Sequence, residues 1–571
     1  MTFISIGNLA GGGYTPDHPA YDLPPNVFDE VLDVRFDVNG IRPAPQEVEL
    51  FPVMLANPLY LTKVKLGASA EGWIYMDETD MYIIYNSVHT KITRTLGDGG
   101  AYKAIPQQGW QEAVLHGIPL FSNGRDVPQQ VDILQPVEPV KNLENWPSDL
   151  RAEVLRPYKV FLIALRLQTG GGPYDQQSLI WSAPADPGQV PPSWDYTDPA
   201  TQAGLYTFSE TDDRLVDGLA LGDEFIIYKE RSIYAMRFIG GTFIMSIKRR
   251  PGDVGLLAKG ALASFPQGHF FVSGEDIYVQ GSSGAPVSVA TGRVRKELFS
   301  NITTGQKAKV FVEHDSANKT LWVFYPTEEV VWCNRALVWD YENNTWSKRS
   351  APNASSSSFG EVNQVNQQSW NDLTDSWEED AGRWLADATA WAFGDSWDDQ
   401  ALSDIWDPAE YAPVVENMVM ATRIESVPVY DMESNTSSAD GIVWAGESAY
   451  PPLWLLPNTG VMKKGSLLKR GLAIVGKSHD GAIEVNRSVR KILTEFYPEV
   501  EFGKVEVRFG SHDSPRGDVS WGEFLLFDAE VDQKLDPFES GRYLAFEVRG
   551  FDGDDWLLSG YGMEINSGGR Y

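Results

Sequence analysis

Cysteine is nearly absent: Cys333 is the single thiol in 571 residues. A lone cysteine forms no internal disulfide, which excludes a bridged extracellular scaffold. It sits in the apolar run Val330-Val331-Trp332-Cys333 with nothing nearby to lower its pKa, so strand core is expected rather than a catalytic thiol. Histidine is also scarce. The seven, at 18, 89, 116, 269, 314, 479 and 512, show no H-x-x-x-H spacing and no cysteine partner, which speaks against a zinc site. No stretch reaches the roughly 18 uncharged apolar residues of a spanning helix. Met1-Thr2-Phe3-Ile4-Ser5-Ile6-Gly7 has no basic residues ahead of its apolar ones, so no signal peptide is expected and the chain is assigned to a reducing compartment. Positive charge is short as well. Asp and Glu outnumber Lys and Arg by 79 to 47, a formal charge of −32. Such a chain is repelled by phosphate backbones and anionic membranes unless its few cations cluster, which excludes general nucleic-acid affinity.

What remains is aromatic and turn-rich: 19 Trp, 23 Tyr and 26 Phe, with 52 Gly and 35 Pro breaking up short apolar runs. Met81-Tyr82-Ile83-Ile84-Tyr85, Val160-Phe161-Leu162-Ile163-Ala164-Leu165, Phe225-Ile226-Ile227-Tyr228 and Leu321-Trp322-Val323-Phe324-Tyr325 are too short and too β-branched or aromatic for helices. Turns such as Asp37-Val38-Asn39-Gly40, Ser122-Asn123-Gly124 and Ser273-Gly274-Glu275-Asp276 join neighbouring runs into hairpins. One amphipathic helix is expected, around Val489-Arg490-Lys491-Ile492-Leu493. Otherwise the chain reads as all-β.

Two stretches break the rhythm. Residues 170–204, opening on Gly170-Gly171-Gly172-Pro173 and carrying Pro184, Pro187, Pro191, Pro192 and Pro199, read as a long irregular connection of the kind that often forms interfaces. Residues 351–415 carry Trp370, Trp377, Trp384, Trp391, Trp397 and Trp406 amid 13 acids and one base, Arg383, between Glu361 and Glu410. The sevenfold spacing is no coiled coil. With Trp at each a position, the d positions are Leu373, Asp380, Asp387 and Gly394, which make no seam. Short turns that each pin one indole fit better, either as a decorated acidic loop or as an interaction arm. From Lys463 the charge inverts: Lys463, Lys464, Lys469, Arg470, Lys477, Arg487, Arg490 and Lys491 face only Asp480 and Glu484 up to residue 492. The cluster Lys463, Lys464, Lys469 and Arg470 is a candidate for docking an acidic partner, against the plainer reading of a solvated basic face.

Gly471-Leu472-Ala473-Ile474-Val475-Gly476-Lys477-Ser478 matches G-x-x-x-x-G-K-S at every required position. Its spacers want to be the strand itself, and a turn and another apolar run follow where a helix is required. A hairpin is expected, not a phosphate loop. His512-Asp513-Ser514 puts triad residue types side by side, but triads are assembled across a fold, not along a strand. No catalytic, cofactor or metal site is therefore assigned.

A series of segments in fixed order carries a resemblance. It runs Gly117-Ile118-Pro119-Leu120-Phe121-Ser122-Asn123-Gly124, Ile180-Trp181-Ser182-Ala183-Pro184, Leu221-Gly222-Asp223-Glu224-Phe225, then Gly268-His269-Phe270-Phe271-Val272 with Asp276-Ile277-Tyr278. Leu337-Val338-Trp339-Asp340-Tyr341-Glu342-Asn343-Asn344-Thr345-Trp346, the Trp repeat, and Gly541-Arg542-Tyr543 with Trp556-Leu557-Leu558-Ser559-Gly560-Tyr561 complete it. In this order they resemble the tail nozzle proteins of short-tailed bacteriophages, the tail tubular protein B or tail hub family, over roughly residues 30 to 571.

The resemblance implies a β-propeller-like body with inserted β domains and a C-terminal β-sandwich-like unit. The segments expected are an extended arm (1–30), the propeller-like body (31–350), the acidic Trp-repeat insertion (351–415), a return to the body with the basic segment (416–492) and a C-terminal β unit (493–571). It further implies a homo-hexamer at the distal tail of a virion, made in the host bacterial cytoplasm. That ring sits below a tail adaptor, continues and gates the DNA ejection channel, and helps seat fibres or spikes. The family offers no catalytic residues and no cofactor. An acidic wall suits a genome that must slide without binding. The competing expectation is a receptor- or carbohydrate-binding tail protein that stacks sugars on exposed Trp residues.

Overall fold

The computed structural model describes residues 2–51, 54–66, 71–241, 243–327, 330–363, 414–423, 429–431, 436–438, 450–457, 460–477 and 483–568. Among these the one α-helix is Arg295–Asn301, and nearly all other regular structure is strand. Residues 1–359 with 418–571 form one compact unit, and residues 360–417 a second. In the second, the described residues 360–363 and 414–417 are extended strand.

Six antiparallel sheets follow one another along the first unit. Blade one is Tyr60–Lys65, Glu71–Met76, Met81–Tyr85 and Val88–Lys91; blade two is Gln111–Leu115, Ile118–Ser122, Gln129–Gln130 and Lys141–Asn142. Blade three is Leu150–Tyr158, Phe161–Thr169, Asp175–Trp181 and Gly204–Thr207; blade four is Leu215–Leu221, Glu224–Lys229, Ile233–Phe238 and Met245–Arg249. Blade five is Leu262–Phe265, Gly268–Val272, Ile277–Gln280 and Val287–Ser288; blade six opens with Phe311–Asp315, Thr320–Tyr325, Cys333–Asp340 and Thr345–Asn363. Each blade pairs its strands in chain order, as an antiparallel meander. The Ser273-Gly274-Glu275-Asp276 hairpin, for example, sets Val272 opposite Ile277. Blade six goes further: Met418–Ala421 pairs with Leu453–Leu456, which pairs with Val48–Phe51.

Side chains bind each blade to the next, and the circle closes. Thr62 donates to Glu112 between blades one and two, and Ser122 to the Ala152 carbonyl (2.6 Å) between two and three. Arg156 and Asp217 join three to four, and Tyr228 and His269 (3.0 Å) join four to five. The Val312 amide donates to Gly260 (2.9 Å) where five meets six. Ser356 and Ser358 accept from the Leu61 and Lys63 amides (3.3 and 3.2 Å), returning six to one. This is the propeller-like all-β body expected, with six blades.

The sandwich-like unit is built from both ends of the chain. One sheet runs Val34–Asp37, Gly40–Pro43, Leu557–Ser567, Lys491–Phe502, Glu539–Gly541, with Thr2–Ile6 also on Leu557–Ser567. The other runs Glu30–Leu32, Ser466–Leu472, Tyr543–Gly550, Lys504–His512, Ser520–Trp521, with Leu525–Asp528 also on Lys504–His512. Phe496 from the first meets Phe509 (5.0 Å) and Phe546 (5.2 Å) from the second, the aromatic centre of the core.

Three expectations change. The helix around 489–493 is the start of the strand Lys491–Phe502, where Leu493, Phe496 and Pro498 are buried. Pro498 within the run opposes a helix, and sheet partners on both sides supply the backbone bonds. Inside the irregular stretch 170–204, Asp175–Trp181 is a regular strand of blade three, and the connection proper is 182–203. Trp194 anchors that connection, edge-on to Trp146 at 4.6 Å. The 1–30 segment is also folded in, with Ile4, Leu9, Tyr14 and Phe28 buried.

Candidate functional site: the cavity at the propeller axis

The opening strands of all six blades meet at a cavity of about 720 Å³. Tyr60, Gln111, Glu153 and Arg156, Val216, Leu262, and Glu313 come from blades one to six in turn, and Arg166, Lys259 and Ser357 join them. The alternation of a strand decides which residues face inward. A propeller axis is crowded, so charged residues at those positions must find partners or shift their pKa.

Both outcomes occur. Arg156 donates from Nε and Nη2 to the two Asp217 oxygens (2.9 and 2.8 Å), and Gln111 sits against the same carboxylate. Burial alone would raise the Asp217 pKa, but Arg156 and the Gly218 amide hold it below the ordinary value. Arg166 pairs with Glu153 (2.8 Å). Glu112 and Glu313 have no cation partner that wins. Burial lifts Glu112 to about 7 against the Thr62 hydroxyl and Arg156. Burial lifts Glu313 to about 8 against the Ser357 hydroxyl, which donates to it at 3.1 Å. Burial lowers Lys259 to about 8, opposed by Glu153 and Asp217. The Lys259 ammonium is sealed from solvent and meets no hydrogen-bond acceptor among the described residues.

The residues singled out in the sequence lie elsewhere. Lys463 reaches Glu47 (2.5 Å), the Ser350 hydroxyl (2.7 Å) and Asp33 (3.6 Å). Lys469 is fully buried and donates to the carbonyls of Leu23, Pro24 and Val27 (3.4, 2.7 and 2.8 Å); burial lowers it to about 8. Arg470 holds Asp29 through Nε (2.5 Å) with its side chain 43% exposed. Lys464 is the one that faces outward, 63% exposed and 3.9 Å from Asp552. Three of the four cations thus secure residues 23–50 to the sandwich and blade-six strands, and one is open to a partner. Trp370, Trp377, Trp384, Trp391, Trp397 and Trp406 lie outside the described residues.

The phosphate-loop look-alike is a hairpin. Ile474–Lys477 pairs with Ile483–Val485, setting Lys477 opposite Ile483. Of its spacer residues, Leu472, Ile474 and Val475 are strand, and Gly471, at φ +73°, lies so close to the backbone of Tyr21 that a side chain there would clash. His512 donates from Nδ1 to the Ser514 carbonyl (2.5 Å) and stacks on Tyr543, while Asp513 accepts from the Arg542 amide (3.1 Å). The three side chains are not assembled as a triad. Cys333 is buried, its thiol donating to the Lys309 carbonyl (3.2 Å), and burial pushes its pKa up. His269 is a satisfied core residue. It donates from Nε2 to the Ala220 carbonyl (3.1 Å), accepts from Tyr228, and is lowered to about 4 by burial. No group of three metal-binding side chains occurs among the described residues.

Comparison with known proteins adds little to this geometry. No family model matches the chain. No curated protein matches it. Solved structures similar in part include two crystal structures of BBS1N in complex with ARL6DN. The lead-soaked one is 8% identical over 57% of this chain and 90% of that chain, with a TM-score of 0.32. The mercury-soaked one is 10% identical over 57% and 90%, with a TM-score of 0.31. Human WBSCR16 is 12% identical over 45% of this chain and 86% of that one, with a TM-score of 0.23. Scores this low carry no functional meaning, and the propeller-like architecture rests on this chain's own six sheets.

Proposed function

We propose that this chain is a structural protein of a short phage tail: the subunit of a hexameric distal nozzle through which DNA leaves the virion. The observation that carries this reading is the excess of acid over base. Asp and Glu outnumber Lys and Arg by 79 to 47, and Asp212, Asp253, Glu275 and Asp552 stand 95, 89, 87 and 79% exposed. A chain of charge −32 presents more carboxylates than cations to its surroundings. That is the surface a moving polyanion slides past. The ordered series of segments and the propeller-plus-sandwich architecture support the same reading. The cavity at the propeller axis holds only about 720 Å³ and is walled in part by the Arg166–Glu153 ion pair, so the DNA path in this proposal runs between copies, not through one.

Cryo-electron microscopy of particles containing the full chain tests the proposal. A sixfold ring at the tail tip with an acidic bore wide enough for duplex DNA is expected. A peripheral trimer with the Trp-repeat segment outermost would replace it with receptor or carbohydrate binding. Hydrolytic turnover abolished by His512→Ala would replace it with an enzyme.

A further inference from the structure

We propose that copies of this chain join edge to edge, the outer strand of blade four, Met245–Arg249, lying against the sandwich strand Leu525–Asp528 of a second copy. This deepens the nozzle reading by naming the contact that builds its ring, and it rests on that reading only for the number of copies.

Both strands end their sheets. Among the described residues Met245–Arg249 pairs only with Ile233–Phe238, and Leu525–Asp528 only with Lys504–His512. An open edge offers unpaired amides and carbonyls to another chain, and natural edges are commonly blunted by being very short or by carrying charge or proline. The outer strands of blades two and five, Lys141–Asn142 and Val287–Ser288, are two residues each, whereas Met245–Arg249 has five. Leu525–Asp528 contains neither lysine nor proline, and its Leu525 and Leu526 are 38 and 47% exposed. More apolar surface lies beside each edge. Ile239 and Phe243, on the hairpin that leads into Met245–Arg249, are 55 and 75% exposed, and Val531, just beyond the other strand, is 76% exposed. Apolar side chains gathered in the open beside charged ones mark a contact surface.

Charge decides which edge takes which. Residues 237–250 hold four cations, Arg237, Lys248, Arg249 and Arg250, and no acid. Residues 523–532 hold four acids, Glu523, Asp528, Glu530 and Asp532, and no cation. Asp223, Asp253 and Glu224 answer Arg237, Arg249 and Arg250, and Lys504 answers Asp528 (3.0 Å). Lys248, Glu523 and Glu530 have no ion pair among the described residues. Each edge therefore repels its own like and attracts the other. Within one copy the two strands lie in separate sheets and do not pair. Two different surfaces make a head-to-tail contact, which builds a ring when its rotation closes.

Sedimentation velocity of the full chain over a range of concentrations tests this. Lys248→Glu with Arg249→Glu is expected to weaken self-association by about tenfold or more, and Glu523→Lys with Glu530→Lys to do the same. The four changes together restore it. Arg231→Glu, exposed at the other end of Ile233–Phe238, leaves it unchanged. All four reversed positions are exposed, so the variants should fold, which melting curves check. Carbodiimide treatment of the assembled chain should join Lys248 to Asp528 or Glu530 between copies. A chain that stays monomeric at every concentration overturns the proposal. So does unchanged association in either folded reversal, failure of the four changes to restore it, or absence of that cross-link. A sixfold ring whose copies meet through other surfaces overturns it and keeps the nozzle. A ring of another number, or an open filament, joined through these strands keeps it and overturns the nozzle.

Discussion

Arg156 and Asp217 meet in a two-pronged pair, Nε to Oδ1 at 2.9 Å and Nη2 to Oδ2 at 2.8 Å, across the seam between the third and fourth blades. The Asp217 side chain has no solvent exposure and the Arg156 side chain 17%. Breaking a buried pair leaves one charge stranded, whereas replacing both members does not. Asp217→Ala is therefore expected to cost about 3–5 kcal/mol in chemical denaturation. The double change Arg156→Met with Asp217→Leu should cost much less. Equal losses in the two would mean that the pair is not what joins these blades.

Glu112 and Glu313 give the fold a pH dependence with a definite sign. Each carboxyl holds its proton more tightly folded than unfolded, to about 7 and about 8. Between the ordinary carboxylate range and those values the native state binds more protons, so this part of the stability falls as pH rises. Glu313→Gln, which keeps the shape and removes the ionisation, should stabilise the chain at pH 9 by about 1–3 kcal/mol and change little at pH 5. Melting curves at the two pH values decide it. A benefit as large at pH 5 would point to packing instead.

Lys469 is a hub for the segment before it, holding three carbonyls between residues 23 and 27. Lys469→Met strands those acceptors and is expected to cost about 2–4 kcal/mol. Limited proteolysis should then cut near residues 20–30 well before the rest of the chain. Lys464→Met, at the exposed neighbour, should digest like the unaltered protein.

Cys333 should be silent. Its buried thiol sits far above neutral pKa, so thiolate is scarce and access is blocked. Ellman's reagent is expected to label it only after denaturant is added. Labelling of the native chain within minutes would show that the first turn of that blade-six strand opens readily.

Much of the architecture was legible because apolar runs of strand length alternate with Gly, Asn and Asp turns, and those residues are where the hairpins fall. Asp37-Val38-Asn39-Gly40 is one: Asp37 pairs with Gly40 directly. The cavity was not legible. Tyr60, Gln111, Glu153, Val216, Leu262 and Glu313 come from six different blades, and only packing of the blades around one axis brings them to one cavity. Lys469 was open to a better reading. In Ser466–Leu472 burial falls on Leu467, Lys469 and Gly471, so strand alternation already puts the lysine on the inner face. Charge alone places a lysine on the surface, and in this strand the periodicity decides against it. The run at 489–493 is of the same kind: a short amphipathic run fits either period, and Pro498 is the deciding residue.

The strand Thr2–Ile6 lies antiparallel to Leu557–Ser567, with Thr2 opposite Ile565. During synthesis these earliest residues have no sheet partner until nearly all that follow have left the ribosome. Ile4, fully buried in the finished fold, is exposed for that whole interval. The blades can form in sequence as they emerge, since each is a local meander. The sandwich cannot, and its assembly waits until Leu557–Ser567 has emerged. A chain truncated before residue 557 would thus be expected to keep its blades and leave its first strand bare, a ready edge for pairing with other nascent chains.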